Sequence, residues 1–259
     1  MSMTEKERAT NYASKRLQAQ SNCVSHIDKI LYSVIKDIVS QIPVYKNGNR
    51  LEREPVFLSK SVTAFEKVQD DIEDYIVRYS KVSCKVLGVS TDAVEDYLNG
   101  SIFGKTLQER SKLYLQDFAQ DVVNLIKAGI SLGYNEDKIL SSIRSGYQDP
   151  YTASVVTKAQ KQNVNILTPS YGKGICRSAY QNIVRNARGI IALAWREAEA
   201  EYGKENGAVG FIVRRGSTFP CAVCDDEVSK GVQSLEDTGE LPPFHTNCVC
   251  SIEFVFKED

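Results

Sequence analysis

The stretch that most restricts how this chain can fold is Phe219-Pro220-Cys221-Ala222-Val223-Cys224, followed by Pro242-Pro243-Phe244-His245-Thr246-Asn247-Cys248-Val249-Cys250. Four of the seven cysteines and one of the two histidines fall within thirty residues. The spacing is C-x2-C, twenty residues, then H-x2-C-x-C. Two close groups of thiol and imidazole donors separated by a loop can wrap one tetrahedral ion, and these are the donors zinc prefers. Five candidates, Cys221, Cys224, His245, Cys248 and Cys250, compete for four places. Cys221 and Cys224 come first, joined by His245 and by Cys248 or Cys250. In a strand the last two point the same way, so either reaches the ion. Structural zinc contributes ~10–16 kcal/mol of apparent binding free energy to folding. That is enough to order the segment Asp225 to Glu240, which has little apolar content of its own.

Catalytic alternatives lack their partners. Pro220-Cys221-Ala222-Val223-Cys224 fits the second half of a zinc-deaminase signature, but that chemistry also needs an upstream H-x-E or C-x-E whose glutamate shuttles protons. The upstream candidates read His26-Ile27-Asp28, Cys23-Val24-Ser25, Cys84-Lys85-Val86 and Cys176-Arg177-Ser178, without the glutamate. H-E-x-x-H and G-x-S-x-G are missing as well. A thioredoxin-like redox pair requires a βαβ context that the sequence does not offer. Lys173 stands between Gly172 and Gly174, yet the G-x-x-x-x-G-K-[ST] spacing of a phosphate loop is absent. With enough soft ligands to fill every position, a closed structural site is the better reading.

Upstream of the motif the pattern is helical. Ile27, Ile30, Leu31, Val34, Ile35, Ile38 and Ile42 recur at helical spacing in a first helix expected from about Thr4 to Gln41, spanning ~57 Å. Its first twenty residues are polar, and so either exposed or covered by a partner. A second helix is expected after Pro55, ending near Gly88, with Val62, Phe65, Val68, Ile72, Tyr75, Ile76 and Tyr79 on one face. Its acidic cluster, Asp70, Asp71, Glu73 and Asp74, reads as a solvated face. Further helices are expected over about 91–98, 107–130, from the cap Asn135 onward, and over 152–164. After the loop Thr168 to Gly174 comes a helix from Ile175 to about Tyr202. Ile175, Ala179, Ile183, Ala187, Ile190, Ala194 and Ala198 form its small-residue stripe, and Trp195 packs. Phe211-Ile212-Val213 and Ile252-Glu253-Phe254-Val255-Phe256 read as two strands that bracket the cysteines in a ribbon. The expected fold is therefore mainly α: an elongated helical body with a small C-terminal β-ribbon module stapled by zinc. Three regions follow: 1–104 for docking or oligomerisation, 105–209 as a helical core, and 210–259 as the metal module.

Charge separates the possible partners. The net charge is −1, so no overall field draws the chain to nucleic acid. Residues 158–204 hold eight Lys or Arg against three Glu, whereas 210–259 hold four against nine acids. An acidic metal module argues against a phosphate-gripping zinc finger. Arg177, Arg185 and Arg188 cannot all share the buried stripe, and they are the candidates for contact with a nucleic-acid backbone. No apolar run approaches the ~18 residues of a membrane span, and Met1 to Gln20 has no signal-peptide core.

Taken together, the residues carry a resemblance. A helix, Gly133-Tyr134-Asn135-Glu136-Asp137-Lys138-Ile139-Leu140, a long basic helix, a short strand, Pro-Cys-Ala-Val-Cys and then Pro-Pro-Phe-His-Thr-Asn-Cys-Val-Cys resemble the phage Mu F-like head-morphogenesis (minor head protein) family. The resemblance covers about residues 105–256, with Val249 where the family usually has arginine. It implies a non-enzymatic minor structural protein of a tailed-phage head, made in the host cytoplasm and residing in the virion. Its implied partners are the portal or other virion proteins in a multi-subunit assembly, with contact to packaged DNA left open, and no membrane. The N-terminal helices would then be the element that docks on the portal or another virion subunit. The alternatives are a nucleic-acid-binding accessory protein, or a zinc-dependent hydrolase or nuclease assisted by Asp225, Asp226 and Glu227.

Overall fold

A computed structural model describes residues 4–101, 104–166, 176–235, 241–245 and 248–257, the side chains of Glu5 and Ala93 excepted. About 67% of the described residues are helical, and a small antiparallel sheet lies near the C-terminal end. The expected loop Thr168 to Gly174, with Lys173, and Ile175 at the head of the next helix lie outside the described residues. So do Thr246, Asn247 and the end of the Asp225–Glu240 segment.

The chain forms two compact units. The first gathers Met1–Val24, Asp74–Thr106 and Ala187–Asp259; the second gathers Ser25–Glu73 and Leu107–Asn186. Helices α1 (Glu5–Ser40), α4 (Gln69–Ser80) and α10 (Ala179–Glu205) each have residues in both.

In the second unit α1 buries Ile27, Leu31, Val34, Ile35 and Ile38, the face its periodicity marks. Pro43 falls inside a single helical turn, α2 (Ile42–Tyr45). The strands β1 (Lys46–Asn47) and β2 (Arg50–Leu51) then pair around Gly48-Asn49. One helix was expected from Pro55 to Gly88, but the chain forms three: α3 (Glu54–Glu66), α4 and α5 (Val82–Leu87). Neither interruption has a glycine or proline to announce it. At the first, Val68 N–H closes a tighter turn on the Phe65 carbonyl at 3.2 Å, and Gln69 Nε2 donates to the Gln108 carbonyl at 3.1 Å, a tertiary contact that helix propensity does not encode. Gly88, at φ 78°, ends α5 as expected.

The second unit is built on α7 (Leu107–Ser131), against which α3, α8 (Glu136–Gly146) and α9 (Ser154–Lys161) pack. Asn135 caps α8, its side chain accepting Lys138 N–H at 3.0 Å. Phe65, Phe118, Tyr147 and Tyr180 form an aromatic cluster with centroids 5.0–6.5 Å apart, edge-to-face except for the tilted Phe118–Tyr180 pair. Asp121 on α7 holds the start of α10, accepting Ala179 N–H at 3.0 Å and the Tyr151 hydroxyl.

In the first unit the strand order is β4-β3-β5, all antiparallel, from β3 (Ala208–Arg214), β4 (Val232–Gln233) and β5 (Ser251–Phe256). The β3–β5 ribbon was expected and β4 was not. α6 (Asp92–Asn99) lies where the short helix was expected. Among the described residues of the α10 stripe, Ala179, Ile183, Ala187, Ile190, Ala194 and Ala198 are all buried, and Trp195 is completely so. Near the C-terminal end of α10, a Cβ on Gly203 would stand 2.6 Å from the Phe254 ring, so the helix can approach the sheet only because that residue has no side chain.

Burial pushes the Asp121 carboxyl up to about 6, against the hydrogen bonds it accepts. A carboxyl raised above its unfolded value near 3.9 supports the fold fully below about pH 4 and loses that contribution as pH rises through about 6. Asp121→Asn is therefore expected to flatten the stability profile between pH 4 and 7 by about 2–3 kcal/mol in urea melts. An unchanged slope would show that the carboxyl titrates normally.

Candidate metal centre

The site begins where β3 ends. Arg215 gathers the following loop around its guanidinium: Nη1 donates to the Cys221 carbonyl at 3.2 Å and pairs with Asp225 at 2.6 Å. Nε and Nη2 both donate to the Ser217 carbonyl at 3.3 and 3.2 Å, and Nη2 also donates to the Phe219 carbonyl. One planar fork satisfies these converging acceptors, which lysine cannot do from a point charge. Thus held, Cys221 starts α11 (Ala222–Ser229), where the sequence suggested only a loop. The amides of Cys224 and Val223 turn back on the Cys221 sulfur and hold its thiol below the ordinary range, helped by His245.

Helix α11 carries Cys224 inward, to 3% exposure, while Cys221 stays half-buried. The second arm approaches from Leu241 to Cys250. Its H-x2-C turn is closed by Cys248 N–H donating to the His245 carbonyl at 3.1 Å. His245 Nε2 lies 3.2 Å from Cys221 Sγ and 3.0 Å from Cys224 Sγ. Cys224 Sγ lies 3.9 Å from Cys248 Sγ. Cys221, Cys224 and His245 form one group of converging donors and Cys224, Cys248 and Cys250 another, each with its ligand atoms within 4.8 Å of one another. These clusters can hold a metal ion. All five side chains named from the sequence are thus brought together, and Cys224 belongs to both groups.

The surroundings are apolar on one side and wet on the other. Cys224, Cys248 and Cys250 sit in a core with Phe211, Val213, Leu241, Ile252 and Phe254, whereas His245 is exposed. Burial pushes the Cys224 thiol up to about 11. The hydrogen bond from the Cys250 thiol, aided by the Phe244 and Cys250 amides, draws Cys248 down to about 5. Donating that bond raises Cys250. The two sulfurs are thus pushed in opposite directions, as expected where adjacent thiolates would repel in a low-dielectric pocket.

Three supporting residues escaped the sequence reading. Arg215 and Gly216 adjoin the motif, and a basic-glycine pair there is at most a turn signal. Gly216 must lack a Cβ because one would collide with the Val249 carbonyl, and its amide points at the Cys250 sulfur. The third, Arg16, donates from Nη2 to the Cys250 carbonyl at 2.7 Å across 234 positions of sequence, a separation no local pattern reveals.

The basic candidates have separate placements. Arg177 is exposed, with its guanidinium 4.7 Å above the Tyr151 ring. Arg185 is half-buried and has a partner. Arg188 has an exposed side chain, and its carbonyl accepts Gln20 Nε2 at 2.9 Å. Among the described residues, no helix is long and apolar enough to cross a membrane.

Because both donor groups share Cys224, Cys224→Ser is expected to abolish tight metal binding in a competition titration against a chromophoric chelator. Of Cys248→Ser and Cys250→Ser, one should do the same and the other weaken affinity by about 10–100-fold. Unaltered affinity in Cys224→Ser would remove this site. No protein-family model, no curated protein and no solved structure matches this chain.

Proposed function

We propose that the protein is a non-enzymatic minor structural protein of a tailed-phage head, associated with the portal or the capsid interior, whose C-terminal module is stapled by one structural zinc ion. The convergence of the five Cys and His donors carries the zinc half of this reading. Tetrahedral zinc with Zn–S near 2.3 Å and Zn–N near 2.0–2.1 Å requires ligand–ligand edges of about 3.8 Å between sulfurs and about 3.6 Å between sulfur and nitrogen. The 3.9 Å Cys224–Cys248 edge meets that requirement, and His245 at 3.0–3.2 Å needs only to draw back by a few tenths of an ångström. Five soft and borderline donors for four positions leave no vertex for water or substrate, which is the signature of a staple rather than a Lewis-acid centre.

The head-protein half rests on the resemblance over about residues 105–256, with its long helices and its C-x2-C and H-x2-C-x-C endings. A structural assembly role agrees with a closed metal site and with the absence of the glutamate that zinc deamination requires.

Two measurements test the reading. Elemental analysis of protein purified without chelator is expected to give close to one zinc per chain, and a ratio near zero removes the staple. Quantitative mass spectrometry of purified heads from the encoding phage is expected to find the protein in a few copies per particle. Its absence from heads overturns the assembly role. Retention on DNA that falls steeply with salt, in protein absent from heads, would favour the nucleic-acid reading instead.

A further inference from the structure

The N-terminal part of α1 reaches the metal module of the first unit through two arginines. Arg16 is 2% exposed, and its Nη2 donates to the Cys250 carbonyl at 2.7 Å. Arg8 is also buried, its guanidinium 5.0–5.1 Å from the centroids of Tyr12, Tyr202 and Phe254. Phe254 stands four residues beyond Cys250 on β5. Completing the set is Glu199 of α10, fully buried; burial raises its carboxyl against the opposing charges of Arg16 and Arg8. Ala9 and Ala19 are buried on the same helix. Of the end expected to be exposed or covered by a partner, one face, carrying Arg8, Ala9, Arg16 and Ala19, is buried within this unit, whereas Lys6, Glu7, Thr10, Lys15 and Gln18 are exposed. Arginine reads as surface in a sequence, but its guanidinium stacks on aromatic rings and its stem packs.

Both ends of the Cys250 main chain are occupied. Its amide is directed at the Cys248 sulfur and its carbonyl receives Arg16. A residue in the donor cluster is thereby oriented from outside by a cation, the arrangement by which supporting groups fix metal ligands. Zinc with three or four thiolates carries net negative charge, which a buried guanidinium beside the ligand loop offsets. The Arg16 Nε and Glu199 Oε2 atoms are buried without hydrogen-bond partners. Such an arrangement holds only while the groups around it stay in place.

We propose that Arg16 is a positioning residue of the metal site, and that metal binding and the docking of α1 residues 5–24 are one linked equilibrium. The inference rests on the zinc reading above. Metal fixes the Cys250 carbonyl where Arg16 meets it; docked α1 holds that same peptide where the ligands converge. Linkage requires each event to favour the other by the same factor.

The test uses the full chain. Hydrogen exchange is followed before and after chelation, with metal content measured in the same samples and the centre of α7 as an internal reference. Loss of metal is expected to accelerate exchange across residues 5–24 by about tenfold or more while α7 is unchanged. Metal released with no change in residues 5–24 overturns the linkage and leaves the zinc site standing. Protein that never held metal overturns the zinc reading and this inference with it. Arg16→Ala removes one of the two charges that oppose the buried Glu199 carboxyl and risks unfolding. Arg16→Met with Glu199→Gln removes both charges together, and Arg16→Lys keeps the charge without the planar fork. Both are expected to keep native helicity by circular dichroism and to bind zinc about 10–100-fold more weakly in chelator competition. Wild-type affinity in both, or a double variant that cannot fold even with zinc present, overturns the assignment of Arg16 as a positioning residue.

Discussion

Sulfur crowding is the constraint on which the C-terminal module depends. Cys224, Cys248 and Cys250 are buried together, and main-chain amides of Phe244, Cys250 and Gly216 are aimed at their sulfurs. Amide dipoles so arranged favour thiolate, yet neighbouring thiolates repel in an apolar surround. A bound cation resolves that conflict by neutralising the charge that the amides invite. On the proposed reading, the metal therefore lets Phe211, Ile252 and Phe254 close over sulfurs that have all given up their protons. The Arg215 fork and the side-chain-free Gly216 are the local geometry through which the first arm meets the second.

Local chemistry explains what the sequence disclosed. The Asn135 cap, the small-residue stripe of α10, the β3–β5 ribbon and the five donors each depend on residues close in sequence, or on a period that survives folding. The misses have separate causes. The helix breaks near Lys67 and Lys81 have no glycine or proline, and the first of them coincides with a contact from Gln69 to a carbonyl 39 positions away. The N-terminal face looked polar because arginine carries charge, although Arg8 is enclosed by three aromatic rings. Helix α11 was hidden by its motif: Cys221 reads as a ligand before it reads as the start of a helix.

The two units also differ in how they spend polar groups. In the second, buried Asp121 is satisfied by a hydroxyl and a helix-start amide, so its role is local and structural. In the first, the buried ions Arg16, Arg8 and Glu199 bear on the neighbourhood of the donor cluster. Buried ions are a weak source of stability compared with apolar packing of the same volume, and are better suited to specifying one arrangement among several.

The reach of Arg16 to Cys250 has a consequence for the order in which the molecule is made. Residue 16 leaves the ribosome 234 residues ahead of the carbonyl it must meet. At usual elongation rates of ~5–20 residues per second, that interval lasts roughly ten to fifty seconds. Every residue of the second unit has been synthesised before Cys250 appears. The nascent N-terminal segment can meet Arg188, Glu199 and Tyr202 once α10 is made, but Arg16 has no Cys250 carbonyl to receive it until later. Completion of the first unit therefore follows synthesis of the second, and a chain stalled before residue 250 would present α1 without the Arg16 clasp.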